Sequence, residues 1–218
     1  MKDYIKERLQ YYLDSLDKLF EDNELAYLSS HCKNELQIRD RIAWRLHQDI
    51  TKEYGDLYVV RREWAPKEKS RVDLAILEMD ANKEKVENVI ALIEFKAQSI
   101  VKREQWYFDE FSQDVKKMRE FKKKSPCTDA DLYFVFLETG QWSKADKYKS
   151  ILGYSIYQNG RVKYRQDSDY LSSIKSHWEE FGVVLGKSIS TPDPEAIEIG
   201  EAFGYKQYVS PLLIGPLK

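Results

Sequence analysis

Two carboxylates and a lysine in neighbouring apolar segments carry the most chemistry in this sequence. Asp73 interrupts RVDLAIL (71–77), and Glu94 and Lys96 end the apolar part of VIALIEFKAQ (89–98). Side chains of a strand alternate between faces, so Ile90, Leu92, Glu94 and Lys96 are expected on one face, and Ala91, Ile93, Phe95 and Ala97 on the other. Asp73 is expected on a face shared with Ala75 and Leu77. An unpaired buried charge costs several kcal/mol or shifts its pKa until it is neutral, so these groups need partners or a purpose. If the two strands are neighbours, all three groups converge at one end of a sheet. Two carboxylates brought together repel unless a cation lies between them, and an oxygen-rich site of this kind suits Mg²⁺ or Mn²⁺. Lys96 beside them would orient a water or steady the charge developing on a phosphate. The plainer alternative is a strand end that frays into solvent, with Glu94 and Lys96 as a surface pair.

The surrounding pattern is mixed α and β. Ile5, Leu9, Tyr12, Leu13, Leu16, Leu19 and Phe20 recur at helical spacing and predict one amphipathic helix over 4–20. A second helix is expected from Glu35 to Tyr54, with Asn34 as its N-cap and Ile38, Ile42, Leu46 and Ile50 as its stripe. LYVVRRE, RVDLAIL and NVIALIEFKA read as three successive strands joined as hairpins or a meander. A helix from about Glu104 to Lys124 follows, with Phe108, Phe111, Val115, Met118 and Phe121 on one face. DADLYFVFLE (129–138) is then a strand apolar on both faces, and a strand–helix–strand succession implies a right-handed crossover between parallel neighbours. Asn159-Gly160 predicts a type I′ hairpin, and Asp169 caps a further helix. The Pro-bearing segment from Thr191 onward reads as irregular, its Leu212, Leu213 and Ile214 packing on the domain or on a second copy.

RVDLAIL followed by LIEFKA resembles the PD-(D/E)XK nuclease superfamily, the restriction-endonuclease-like fold, in which E-x-K lies on the strand after the Asp. The resemblance covers about residues 33 to 138 and implies an α/β domain of α+β type with an αβββαβ core, a central mixed sheet flanked by helices. Val72 stands where the motif's name has Pro. Carried over, the resemblance makes Asp73 and Glu94 metal ligands with the Phe95 carbonyl a further one, and Lys96 the catalytic lysine. It makes Glu35 the upstream acid, against which stands an i,i+4 pair with Arg39 worth about 0.3–0.5 kcal/mol. In the helix after E-x-K, Lys102, Gln105 and Tyr107 are offered as phosphate-reaching residues, Gln105 as the auxiliary one. Asp114 stands there either as a site residue or as a helix-surface partner of Lys117. The activity implied is a Mg²⁺- or Mn²⁺-dependent endonuclease acting on DNA, in restriction, defence or repair. The alternative is a catalytically silent nuclease-like fold that binds nucleic acid or protein.

The boundaries expected are 1–32 for an N-terminal helical extension, 33–140 for the nuclease-like core, and 141–218 for a C-terminal hairpin, helix and tail on the same domain. A formal charge of −2 provides no global field for nucleic acid, so binding needs a local basic surface, a homodimer or a partner protein. The basic runs 61–71 and 115–124 are the local candidates, weighed against ordinary solvated faces. Tyr154, Tyr157 and Tyr164, interleaved with Arg161, Lys163 and Arg165, suit either base stacking or cross-strand pairing. Two cysteines far apart and three scattered histidines argue against a disulfide framework or structural zinc; His31 and Cys32 read as residues at the start of a helix. The charged first residues and the lack of a long apolar window lead to an expectation of a cytoplasmic protein with no membrane segment.

Overall fold

The computed structural model describes residues 1–31, 34–67, 70–99, 105–143, 147–149, 164–165, 175, 178–179, 182–183, 185, 195–202 and 205–217. The elements run α1 (Lys2–Asp14), α2 (Leu16–Leu19), α3 (Glu24–His31), α4 (Glu35–Tyr54), β1 (Tyr58–Lys67), β2 (Ser70–Met79), β3 (Val86–Ser99), α5 (Gln105–Lys122), β4 (Asp131–Ser143), β5 (Lys147–Lys149), β6 (Tyr164–Arg165), β7 (Ile197–Ala202) and β8 (Tyr205–Leu217). The class is α+β. One mixed sheet runs β1-β2-β3-β4-β5-β6, with β8 also paired to β4 and β7 to β8.

The three strands before α5 form the expected antiparallel meander, and α5 connects β3 to a parallel β4, with Glu94 opposite Phe134 and Lys96 opposite Phe136. β4 is apolar from Leu132 to Leu137 because both faces are covered there. Tyr133, Val135 and Leu137 join Ile5, Leu9, Ile38, Ile42 and Leu46 from α1 and α4. Leu132, Phe134 and Phe136 join Phe111, Val115 and Met118 from α5. Phe111 meets both Phe134 and Phe136 edge-on, at 5.3 and 4.9 Å between ring centroids.

Several expectations need correction. The N-terminal helix is not continuous: Ser15 leaves the helical region (φ −121°) and splits it into α1 and α2, although the expected apolar stripe is buried throughout. An additional helix, α3, precedes α4, so His31 ends a helix instead of starting one. Asn34 occupies the N-cap position of α4, but its side chain donates to Ser29 Oγ at 2.8 Å and makes no cap bond. The tail is not irregular. β8 runs antiparallel to β4 from Lys206 to Leu217, and its Val209, Leu212 and Ile214 enter the two cores. Pro211 fits because β7 pairs β8 only as far as Val209, leaving β8 an outer strand at Pro211 among the described residues. The Asn159-Gly160 hairpin, the Asp169 cap and Cys32 lie outside the described residues; Cys127 is a buried free thiol. No helix among the described residues is long and apolar enough to cross a membrane.

Gly215 shows how closely β8 approaches β4. Its φ is +144°, and a Cβ there would stand 2.7 Å from the Leu132 carbonyl oxygen and 2.6 Å from Tyr133 Cδ1. Gly215→Ala is therefore expected to destabilise the fold by about 1–3 kcal/mol, seen as a lower urea midpoint; an unchanged midpoint would show that β8 can withdraw here without loss.

Candidate active site

The site lies where β2 and β3 separate. Their last paired positions are Leu74 and Ile93, which places Asp73 and Glu94 side by side one step further on. There the Asp73 side chain takes over from the backbone ladder: Asp73 Oδ2 accepts the Phe95 N–H at 2.7 Å. Glu94 and Lys96 point towards α5 and meet its side chains, whereas Ile93, Phe95 and Ala97 join the core under α1 and α4. The expected alternation thus holds from Leu92 to Ala97.

It fails on either side. Ile90 does not share the Glu94 face: a bulge sets Ile76 opposite Ala91 and Leu77 opposite Val89, and both Ile90 and Ala91 enter the core on the α4 side. Asp73 does not simply share the face of Ala75 and Leu77. Val72 lies in the α5-side core although Leu74, two residues on, lies in the other, so the alternation reverses at Asp73. In β1 the facing residue, Glu63, adopts φ +49°, and Val59 and Trp64 pack on the same side despite odd spacing. The strand pair turns over at this step, and both carboxylates reach α4. Arg39, nearly buried, touches Asp73 Oδ1 at 3.4 Å and Asp40 Oδ1 at 2.9 Å, and also pairs with Glu63.

Helix α5 closes the other side. Packing Phe111, Val115 and Met118 on the sheet brings Asp114 and Lys117, three residues apart, over the end of β3. Lys96 Nζ lies 2.6 Å from Asp114 Oδ2 and 3.8 Å from Glu94 Oε1. Lys117 Nζ lies 3.0 Å from Glu94 Oε1 and 2.8 Å from Asp114 Oδ1. Asp114 therefore holds two ammonium groups at once. The expected pair with Lys117 is present, and Asp114 is in addition paired with Lys96. Glu35 is at the site too, its Oε2 accepting the Ala97 N–H at 2.8 Å. Gln105 opens α5, but its side chain and that of Tyr107 lie outside the described residues, as does Lys102. The Phe95 side chain is fully buried, and its backbone carries the N–H given to Asp73.

The electrostatics follow from burial in a crowded cluster. Glu94 is 4% exposed; burial first, and then the Asp73 charge, push its carboxyl up to about 8 despite the two lysines. Burial also raises Asp73, against the Phe95 N–H, Lys96 and Arg39. Burial alone would lower Lys96, but the Asp114 hydrogen bond and the charges of Glu94, Asp114 and Glu35 outweigh it, so the ammonium is held protonated. Asp114 goes down: burial opposes this, and hydrogen bonds from Lys117 and Lys96 prevail.

Glu94 Oε1 faces two ammonium groups, while Glu94 Oε2 is buried with no hydrogen-bond partner among the described residues. An orphaned buried acceptor is costly unless something satisfies it. No three His, Cys, Asp or Glu side chains among the described residues are grouped so as to hold an ion by themselves. Mg²⁺, however, keeps several waters and is held through one or two carboxylates together with substrate phosphates. Asp73 and Glu94 provide such a hard-oxygen pair, and Glu94 Oε2 is the atom that a cation would satisfy, so the donor set fits the ion.

Sequence reasoning did not assign Arg39, Glu63 or Lys117 to the site. The i,i+3 spacing of Asp114 and Lys117 on a helix packed over E-x-K was the available signal for Lys117; nothing local marked the turn-over at Glu63. Arg39→Met is expected to destabilise the fold by about 2 kcal/mol, because Asp73 loses a charged partner in a largely buried setting. Urea titration checks this, and a neutral result would mean Arg39 is dispensable to the fold. No family model, no curated protein and no solved structure matches this chain.

Proposed function

We propose that the chain has the restriction-endonuclease-like arrangement and is a divalent-metal-dependent, endonuclease-type phosphodiesterase acting on DNA. The observation that carries this reading is the buried Glu94 carboxylate beside Asp73, with one oxygen facing Lys96 and Lys117 and the other unpartnered. The order α4, β1, β2, β3, α5, β4 around it agrees with the αβββαβ core that the motif resemblance implies. Mg²⁺ or Mn²⁺, when bound, would supply charge neutralisation at the phosphate and a more acidic water. Asp73 and Glu94 would hold the ion, Glu94 giving up its proton as the ion binds, and the Phe95 carbonyl would be a further ligand. Lys96, kept protonated and pinned by Asp114, presents a fixed positive charge where the phosphate gains negative charge. Glu35 stiffens the same stretch of β3 through the Ala97 N–H.

A second reading, a silent nuclease-like binding module, is favoured by one observation: Lys96 and Lys117 already neutralise much of the acidic cluster. One experiment separates them. Supercoiled plasmid, linear duplex, single strand, branched DNA and RNA are incubated with Mg²⁺ or Mn²⁺ and either the native chain or Asp73→Asn, with metal binding followed by calorimetry. Cutting lost in the variant supports the nuclease. No cutting together with no metal binding overturns it in favour of the module.

A further inference from the structure

A groove of about 660 Å³ runs between α4 and the edge strand β1. Trp44, His47, Arg61 and Arg62 line it, as do the acidic residues Asp40 and Glu63. Trp44 is 58% exposed, the most exposed aromatic side chain among the described residues, although tryptophan is on average a well-buried residue. The His47 imidazole stands beside it, 6.3 Å between ring centroids, and His47 Nδ1 is buried with no hydrogen-bond partner among the described residues. Arg62 pairs with Asp40, while Arg61 is exposed and makes no ion pair among the described residues, which leaves a cation free for an anionic ligand. Arg39 forms the link inward, since the same guanidinium that borders the groove touches Asp73. The groove therefore opens directly beside the candidate active site.

A flat exposed ring flanked by arginines is the combination used to hold unpaired nucleotides: bases stack on the ring and phosphates meet the guanidinium groups. In an intact duplex both faces of every base are covered by neighbours, so a paired base cannot stack on Trp44 without first being turned out of the helix. We propose that this groove binds a single strand of DNA, with a base stacked on Trp44 and the adjoining phosphate on Arg61, so that the site beside it receives single-stranded segments or the single-stranded ends of branched molecules. The consequence for cleavage rests on the phosphodiesterase reading; the binding does not.

The test is fluorescence anisotropy of a labelled single strand of about twelve nucleotides, and of a blunt duplex, with the full chain in EDTA so that nothing is cut. The native chain is expected to bind the single strand more tightly than the duplex. Trp44→Ala is expected to weaken single-strand binding about tenfold or more, and Trp44→Phe to retain most of it. Arg61→Gln is expected to reduce the slope of log affinity against log salt by about 0.7. Thermal melts of the variants guard against misfolding, which an exposed side chain makes a small effect. Unchanged single-strand affinity in Trp44→Ala overturns the proposal, as does a native chain that prefers blunt duplex. Strand binding through Trp44 with no metal-dependent cutting on any substrate overturns the phosphodiesterase reading and leaves this one standing. Cutting unaffected by Trp44→Ala, with unaffected binding, does the reverse.

Discussion

Lys96→Ala is expected to slow metal-dependent cleavage about 10²–10³-fold while the chain remains folded. The size follows from the role proposed for the residue. Its ammonium is held protonated 2.6 Å from Asp114 and 3.8 Å from Glu94, a fixed charge in a partly buried cluster, and fixed charges aimed at a developing anion act mainly in the transition state. The fold survives because Asp114 retains Lys117 at 2.8 Å and Glu94 Oε1 retains it at 3.0 Å. Lys96→Arg keeps the charge, but a planar guanidinium does not reproduce a compact ammonium in this space, so it should restore only part of the rate. Single-turnover cleavage with melts of the same samples measures both. A variant that cuts at the native rate would remove Lys96 from the chemistry; one that loses rate and stability together would make it a structural ion pair.

The second large effect is a dependence of stability on pH that comes from Glu94. Its folded pKa of about 8 lies above the ordinary 4.5, so folding favours the protonated form. The stability this contributes is complete below about pH 4.5, falls as pH rises and is gone once pH passes about 8. Asp73, also raised by burial, acts with the same sign. Asp114 acts with the opposite sign, its contribution present above the ordinary carboxylate range and lost in acid. In EDTA, the urea midpoint is expected to drop between about pH 6 and about pH 9, by an amount worth several kcal/mol, and Glu94→Gln should flatten that drop. An equally steep drop in Glu94→Gln would place the titration elsewhere. The same shift predicts that metal binding below about pH 8 releases a proton, because a carboxylate must be ionised to accept a cation. Calorimetry in buffers of different ionisation heat measures that release, and a heat independent of buffer would count against Glu94 as a ligand.

Lys117 and Asp114 illustrate why a motif alone understates a site. E-x-K names Glu94 and Lys96 on β3, yet a buried charge is stable only with partners, and here the partners come from a helix more than 15 residues further along the chain. Glu63 makes the same point from the other side. It sits in a run that reads as a basic surface, but the turn-over of the strand pair brings it to Arg39 beside Asp73.

Local residue spacing is enough to place the elements that carry a strong period and the faces they bury. The Ile38, Ile42, Leu46 and Ile50 stripe made α4, the β3 alternation from Leu92 to Ala97 put Glu94 and Lys96 on one side, and the apolar β4 announced a strand covered on both faces. These follow from side-chain spacing against helical and strand geometry, which needs no knowledge of distant residues. The bulge at Ile90, the reversal at Glu63 and Asp73, the clamp of Asp114 on two lysines and the incorporation of the tail as β8 come from long-range contacts. Pro211, Gly215 and Pro216 make that tail look irregular from its local composition, and it becomes a strand because β4 offers it an unpaired edge and two apolar cores to complete. Each of these outcomes is set by pairing between residues remote in sequence, where the gain from burial and hydrogen bonding outweighs local preference.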